Sequence, residues 1–286
     1  MHAPEPVTQP PSAPSTSGLE LRCFGAIAGG GNPALVYEND QSSEAERQQM
    51  ARSLRNTLVF IDASANDGAG YTLDYFYPHA RSPLCVHATL AAVYALLSRP
   101  GAVPELTVRT AMHGQELVLS RDGDIFYVRV SAQAAPQPEL SAPALRALLK
   151  APDLAFLSPP VVASAGSPKL LVEVKDAAAL YDLQPDLSAI AAWGRQHGVN
   201  GCYVYCKVEE GVYEGRNFNH LDPALEDCAT GVAAGALALH LRRDLTLRQG
   251  AELGKPCLIE ARFGGSDGNK HEGSHVLIGG MVGTAA

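Results

Sequence analysis

No run of apolar residues in the sequence reaches the roughly 18 that a membrane-spanning helix requires, so no segment reads as a bilayer span. Positive charge is also scarce. Against 30 Asp and Glu stand 22 Lys and Arg, and the formal charge of −8 argues against binding to nucleic acid or to an anionic membrane surface. Residues 1–18 are rich in Pro, Ser and Thr and lack a hydrophobic stretch, so they read as a disordered tail and not as a signal peptide. The six cysteines, at 23, 85, 202, 206, 228 and 257, lack the tight spacing of a disulfide framework. Cys202 and Cys206 have no second His or Cys pair with which to build a zinc site. Nor do His79, His113, His197, His220, His240, His271 and His275 show metal-ligand spacing. Gly29–Gly31 is not a dinucleotide fingerprint, because no amphipathic helix follows it. These absences predict a cytoplasmic protein with free thiols, and they offer neither a metal site nor a dinucleotide site.

What is present is a duplicated programme. Cys85-V-H-A-T-L-A-A-V-Y-A-L-L and Cys228-A-T-G-V-A-A-G-A-L-A-L carry small residues at the same offsets (Ala88, Ala91 and Ala92; Gly231, Ala234 and Gly235). Two further pairs precede them in the same order: Gly31–Val36 with Gly166–Val172, and Tyr75-Phe76 with Asn217-Phe218. Three correspondences in order argue for an internal repeat. A chain of 286 residues is ample for two such units. The expected organisation is an N-terminal half over 19–131, a linker over 132–138 (Pro, Ala and Gln) and a C-terminal half over 139–286, whose last strand returns to the first half.

The first half is expected to place strands at Leu19–Phe24, Ala34–Tyr37, Thr57–Ala63, Tyr71–Tyr77, Leu106–Thr110, Glu116–Ser120 and Ile125–Ser131. Its helices are Ser43–Leu54 and Cys85–Ser98. The second half is expected to place strands at Val161–Ala165, Leu170–Val174, Cys202–Val208, Tyr213–Phe218, Cys257–Phe263 and Val276–Met281. Its helices are Leu140–Lys150, Ala177–Leu183, Leu187–His197 and one from Cys228. The fold class is therefore α+β: two pseudo-symmetric halves, each a curved, mostly antiparallel sheet around a central buried helix.

A helix N-terminus concentrates unpaired N–H groups and positive partial charge, so it favours a carboxylate, a phosphate or a thiolate. Cys85 and Cys228 at two such ends would gain acidity there, although a free cysteine is more often simply a buried small hydrophobe. His87 reads as an acid/base or ligand contact, or as a structural histidine. Asp227 reads as an N-cap or as a group that orients His87 or a substrate amine. Asn32 and Ser167 lie in turn chemistry, at Gly31–Pro33 and Gly166–Pro168, from which both could reach the cleft.

These residues resemble the PhzF-like phenazine-biosynthesis family, which shares its fold with diaminopimelate epimerase and proline racemase. The markers are G-N-P-A-L-V (31–36), Y-F-Y-P (75–78), P-L-C-V-H-A-T-L-A-A (83–92), R-N-F (216–218), E-D-C-A-T-G-V-A-A (226–234) and G-K-P-C (254–257). The resemblance implies a cofactor-independent isomerase or epimerase working on a small carboxylated metabolite in a cleft between the halves, with a homodimer compatible with the chain. It places His87 and Asp227 at the cleft. Asn32, Ala88, Thr89, Gly166, Ser167, Thr230, Gly231 and Val232 would hold the substrate.

Two departures stand out. The glutamate that family isomerases use within G-x-S-E-T-x-F is replaced by Thr57 or Leu58, which cannot carry a proton. A dihydro-hydroxyanthranilate-type substrate is therefore not turned over unless another residue has taken the role. The proline of E-D-P-A-T-G is replaced by Cys228, and distantly similar racemases carry a cysteine ahead of each central helix. Cys85 and Cys228 are thus expected to face each other as a proton-transferring pair. The competing expectation is a family member that binds small molecules or a partner without turnover.

Overall fold

In a computed structural model of the chain, the structure describes residues 18–64, 70–218, 226–265 and 273–284. The expected tail lies outside them apart from Gly18, as do His220 and His271. Runs of β-branched and aromatic residues make strands the majority of elements. The first are β1 (Leu19–Cys23), β2 (Asn32–Glu38), helix α1 (Glu44–Leu54), β3 (Leu58–Ala63), β4 (Tyr71–Phe76), β5 (Arg81–Ser82), helix α2 (Val86–Leu97), β6 (Glu105–Thr110), β7 (Glu116–Asp122) and β8 (Ile125–Ser131). There follow α3 (Ala142–Leu148), β9 (Val161–Ser164), β10 (Pro168–Glu173), α4 (Ala177–Tyr181), α5 (Leu187–His197), β11 (Cys202–Glu209) and β12 (Val212–Phe218). The chain ends with β13 (Glu226–Asp227), α6 (Gly231–Leu241), β14 (Leu245–Gln249), β15 (Cys257–Gly264) and β16 (His275–Thr284).

All the strands belong to one sheet, in the order β1-β2-β3-β4-β6-β7-β8-β16-β15-β14-β12-β11-β10-β9, with β5 beside β4 and β13 beside β12. β16 pairs with β8 and β15 along most of its length, and its end, Val282–Thr284, pairs with β1. The sheet therefore closes on itself as a barrel-like ring on one side and continues as a curved sheet on the other. The expectation of one separate sheet per half is corrected here. A strand of ten residues spans about 33 Å, long enough to serve three neighbours.

Most pairings are antiparallel, as expected. The parallel ones are β2–β3, β4–β6, β10–β11 and β12–β14. Each of these carries a helical crossover (α1, α2, α4 with α5, and α6, respectively), because parallel neighbours cannot be joined by a tight turn.

Small side chains decide which helices go inside. α2 buries ten of its twelve residues, and α6 buries Gly231 and Ala233–Ala238. α2 packs on β1, β2, β8 and β16, while α6 packs on β9, β15 and β16, so β16 separates and supports both. Alanine at Ala91, Ala92, Ala233 and Ala234, all fully buried, lets the helix backbones approach the strands. A larger residue there would overpack at a cost of about 1–3 kcal/mol. The outer helices are amphipathic and cover the sheet from outside. α5 closes on Leu180, Val199 and Cys202, while Ala51 of α1 packs with Tyr37, Phe60 and Phe76. Among the described residues no helix is long and apolar enough to cross a membrane.

Several expected boundaries move. Cys85 is the N-cap of α2 and not its first residue, and α6 starts three residues after Cys228, at Gly231. The reason lies in β13: Glu226 and Asp227 pair with Phe218 and Asn217, so the backbone is extended where a helix start was expected. α3 is shorter than Leu140–Lys150 because Ser141 accepts a hydrogen bond from Ala144 N and fixes the start there. Asn32 and Pro33 join β2, paired with Cys23 and Arg22, instead of forming the turn before it.

Candidate active site

α2 and α6 bring their N-termini together. Gly231 makes this possible, since a Cβ there would lie 2.4 Å from Val86 Cγ1, at the first residue of α2. Beside this contact opens a cavity of about 190 Å³. Tyr77, Cys85 and His87 line it from the α2 side, and Asp227, Thr230, Gly231 and Val232 from the α6 side. Gly166, Ser167, Lys169 and Asn200 form a third wall from β10 and the loop before β11. Gly166 is needed at its place for two reasons. Its φ is +99°, and a Cβ would come within 2.5 Å of Leu84 Cδ2.

The loop before α6 is held by Asp227. Its Oδ2 accepts from Thr230 Oγ1 at 2.6 Å, and its Oδ1 accepts from Asn32 Nδ2 at 3.3 Å and from Ala229 N at 3.4 Å. Gln249 braces the same loop, donating to the Asp227 carbonyl at 2.7 Å and accepting from Thr230 N at 3.3 Å. Ahead of them, Glu226 closes a two-pronged ion pair with the buried Arg216, at 2.8 and 2.9 Å. Thr230 is the N-cap of α6 without a side-chain cap. The N–H groups of Gly231 and Val232 make no hydrogen bond among the described residues and belong to cavity-lining positions. Free N–H groups at a helix start suit an anion.

On the other wall, Tyr77 Oη donates to Cys85 Sγ at 3.1 Å, and that sulfur lies 3.3 Å from His87 Nδ1. Burial pushes the Cys85 thiol up to about 12, and the Tyr77 hydroxyl and the Ala88 and His87 backbone N–H groups only partly oppose it. Cys85 is therefore a protonated thiol at neutral pH. Burial likewise holds His87 neutral, down to about 4, and raises the Asp227 carboxyl despite its hydrogen bonds. Lys169 is brought down to about 8 by burial, with the Asp227 charge pulling the other way.

The expected thiol pair does not form across the cavity. Cys85 lines it, but Cys228 does not, and the Cys228 thiol instead interacts with that of Cys257, whose sulfur donates to the Lys255 carbonyl at 3.3 Å. Asp227 ends the extended pair β13 and Cys228 follows it in a bend, so the two neighbouring side chains part company. With Asp227 turned to the helix mouth, Cys228 turns away from it. Contact with Cys257 lowers the Cys228 thiol and raises that of Cys257. At pH 8, iodoacetamide is expected to label Cys228 ahead of Cys85, read by peptide mass spectrometry. Faster labelling of Cys85 would show it to be an activated nucleophile after all. All six cysteines are free and buried.

Other candidates separate by geometry. Asn32 reaches the loop and not the cavity, donating to Asp227 and to the Ala229 carbonyl. Ala88 and Thr89 are fully buried, and Thr89 Oγ1 is occupied by the Cys85 carbonyl and Tyr75 Oη, both at 2.8 Å. Ser167 lines the cavity and accepts from Asn200 Nδ2 at 2.7 Å. Leu58 and Thr57 do not line it. Leu58 packs with Tyr37, Phe60 and Phe76, and the Thr57 carbonyl accepts from Leu35 N. Sequence reasoning missed Lys169, Tyr77, Asn200 and Gln249. Tyr77 stood within the marker Y-F-Y-P without a role, and Lys169 left a signal as a lone cation in the apolar strand P-K-L-L-V.

His87 gives the fold an acid limb. Its folded value, about 4, lies below the ordinary 6.5, so the unfolded chain binds more protons between those values and stability falls as pH drops through that window. The loss levels off near pH 4 at about 3 kcal/mol, at 1.36 kcal/mol per pH unit. Denaturant titrations from pH 7 to 4 are expected to show this slope in the wild type and to lose it in His87→Gln.

The family profile described as "Phenazine biosynthesis-like protein" matches residues 21–285. An uncharacterized isomerase of Deinococcus radiodurans is 30% identical over 280 residues, which is 91% of each chain. The trans-2,3-dihydro-3-hydroxyanthranilate isomerase of Pseudomonas aeruginosa is 28% identical over 249 residues, covering 82% of this chain and 86% of that one. The crystal structure of a PhzF-family phenazine biosynthesis protein from Bacillus anthracis superposes with a TM-score of 0.78 at 22% identity, covering 94% of this chain and 97% of that one. With its cavity at the mouths of two buried helices and a match over nearly its full described length, the chain belongs to the PhzC-PhzF family of phenazine biosynthesis-like proteins.

Proposed function

We propose that this protein is an isomerase that moves a proton on a small carboxylated metabolite without the help of a cofactor. The observation that carries the reading is the convergence of unpaired N–H groups at Gly231 and Val232 with Asp227 and His87 on one cavity. The helix mouth suits a carboxylate. Asp227 suits a substrate amine or hydroxyl, and neutral His87 can donate or accept a hydrogen bond without carrying charge. An unsaturated substrate can take up the electron pair released with its proton, so no electron-sink cofactor is required.

The reading extends to the organisation of the chain, as two halves over 19–131 and 139–286 joined at 132–138. The order of pairings in β1–β8 (antiparallel, parallel with a helix, antiparallel, parallel around a buried helix, then two antiparallel) recurs along β9–β16, which supports it. The cavity then lies at the junction of the two central helices.

The test is solvent exchange. With trans-2,3-dihydro-3-hydroxyanthranilate in D2O, the purified protein is expected to incorporate deuterium into the product, read by mass spectrometry and NMR. A second reading, binding without turnover, is favoured by the burial of Leu58 and Thr57 away from the cavity. Saturable binding of 3-hydroxyanthranilate with no deuterium uptake into the dihydro substrate would establish that second reading and refute the first.

A further inference from the structure

The third wall of the cavity holds a group that the isomerase reading leaves without a role. Lys169 is the second residue of β10, paired with Ala163 of β9, and is only 4% exposed. Its ammonium donates to the carbonyl of Asn200, and no carboxylate comes within ion-pair distance of it among the described residues. A lysine buried for structural reasons alone normally brings a counter-charge with it. Here one carbonyl takes one of three donors, and the residue faces a cavity that Asp227, His87, Cys85 and Tyr77 also line.

We propose that Lys169 is the proton-transferring group of this cavity, a lysine on β10 standing in for the carboxylate that the segment at Thr57 and Leu58 does not supply. This rests on the isomerase reading above. The alternatives on the cavity walls are spoken for. Arg81 is paired with Asp74 and Glu44. Asp227 is engaged by Thr230, Ala229 N and Asn32. The Cys85 sulfur accepts from Tyr77. Burial leaves Cys85 and His87 poorly matched to accepting and returning a proton near neutrality, whereas Lys169 sits close to that range. The charged and titratable groups that act on it are Asp227, from the α6 side, and Cys202, on the neighbouring strand β11.

The step balances without a co-reactant. The neutral amine of Lys169 takes a proton from an allylic carbon of a carboxylated, unsaturated substrate. The C–H bond breaks and its electron pair enters the conjugated system. The resulting ammonium then gives the same proton to a different carbon of that system, restoring the amine. One base on one wall acts on one face, so the chemistry is a double-bond shift and not inversion of a stereocentre. The substrate class is a planar or cyclic unsaturated carboxylate, its carboxylate on the N–H groups of Gly231 and Val232.

Two measurements on the full-length protein test this. Trace acetylation with acetic anhydride from pH 6 to 11, resolved by peptide, is expected to give Lys169 a midpoint near 8. Lys150, Lys175 and Lys207, all exposed, serve as references in the same digest. Addition of 3-hydroxyanthranilate should protect Lys169 alone, and Asp227→Asn should lower its midpoint further. Deuterium exchange of trans-2,3-dihydro-3-hydroxyanthranilate should fall about 10²–10⁴-fold in Lys169→Arg and Lys169→Ala. Added methylamine should restore part of the rate in Lys169→Ala, which a merely structural lysine would not allow. Exchange undiminished in both variants, or an ordinary lysine midpoint at Lys169, overturns the assignment and leaves the isomerase reading standing. Absence of exchange in the wild-type protein overturns the isomerase reading and this assignment with it.

Discussion

Asp227→Asn is expected to lower proton exchange on a dihydro-hydroxyanthranilate substrate by about 10–100-fold, the loss of one charge-assisted hydrogen bond to the substrate, while leaving the protein at least as stable at pH 7. The two effects have one cause. Burial raises the Asp227 carboxyl above its ordinary 3.8, so the fold prefers it protonated. The stability it contributes is present below the ordinary value and is lost as pH rises through the raised one. Where the carboxyl is ionised its charge is carried at a cost, and asparagine removes that cost, its amide oxygen still accepting from Asn32 Nδ2 and Ala229 N while its amide nitrogen donates to Thr230 Oγ1. Sites that sacrifice stability for function behave in this way. The paired measurement is deuterium uptake beside a denaturant titration at pH 7. An Asp227→Asn protein that exchanges within about threefold of wild type would reduce the residue to a holder of the loop.

Arg216→Met is expected to be the most destabilising single change outside the core, at about 3–5 kcal/mol. The guanidinium is buried and bonded to both Glu226 oxygens, and it donates to the carbonyls of Leu180 and Leu183 at 3.0 Å each. Removing it strands a carboxylate that is only 13% exposed, together with two carbonyls. Glu226→Met in the same chain should recover part of the loss, because replacing both partners leaves no unpaired charge. Equilibrium unfolding of the single and double variants reads both quantities. An effect of Arg216→Met under about 1 kcal/mol would mean that the pair contributes no more than a surface ion pair. The ligand site should suffer with the fold. Glu226 and Asp227 are successive residues of β13 and leave the ladder with β12 on opposite tasks, one anchoring and one lining the cavity.

The sequence carried the local part of the site well. Gly231 and the alanines of α2 and α6 were legible as small-residue helices because burial of a helix backbone leaves a composition signature. His87, Asp227, Thr230, Gly231 and Val232 were legible because helix starts have a chemistry of their own, and all of them line the cavity. Cys228 was misplaced by one short strand. The residues 226–227 could equally have begun a helix, and only pairing with Asn217 and Phe218 made them extended. That single choice turned the sulfur from the cavity towards Cys257.

By itself, then, the sequence determined the elements that rest on spacing and composition: mostly antiparallel strands, two apolar helices without charge, and a repeat that brings one such helix to each part of the chain. The tertiary structure alone decided what no local pattern encodes. It made one sheet of the two expected ones, with β16 bonded at once to β1, β8 and β15 through groups every residue possesses. It also brought Lys169 and Asn200 to the mouths of helices far from them in the chain. A lysine in a strand declares its charge but not its neighbours, and its burial and acidity are set by surroundings assembled only when β10, α2 and α6 meet.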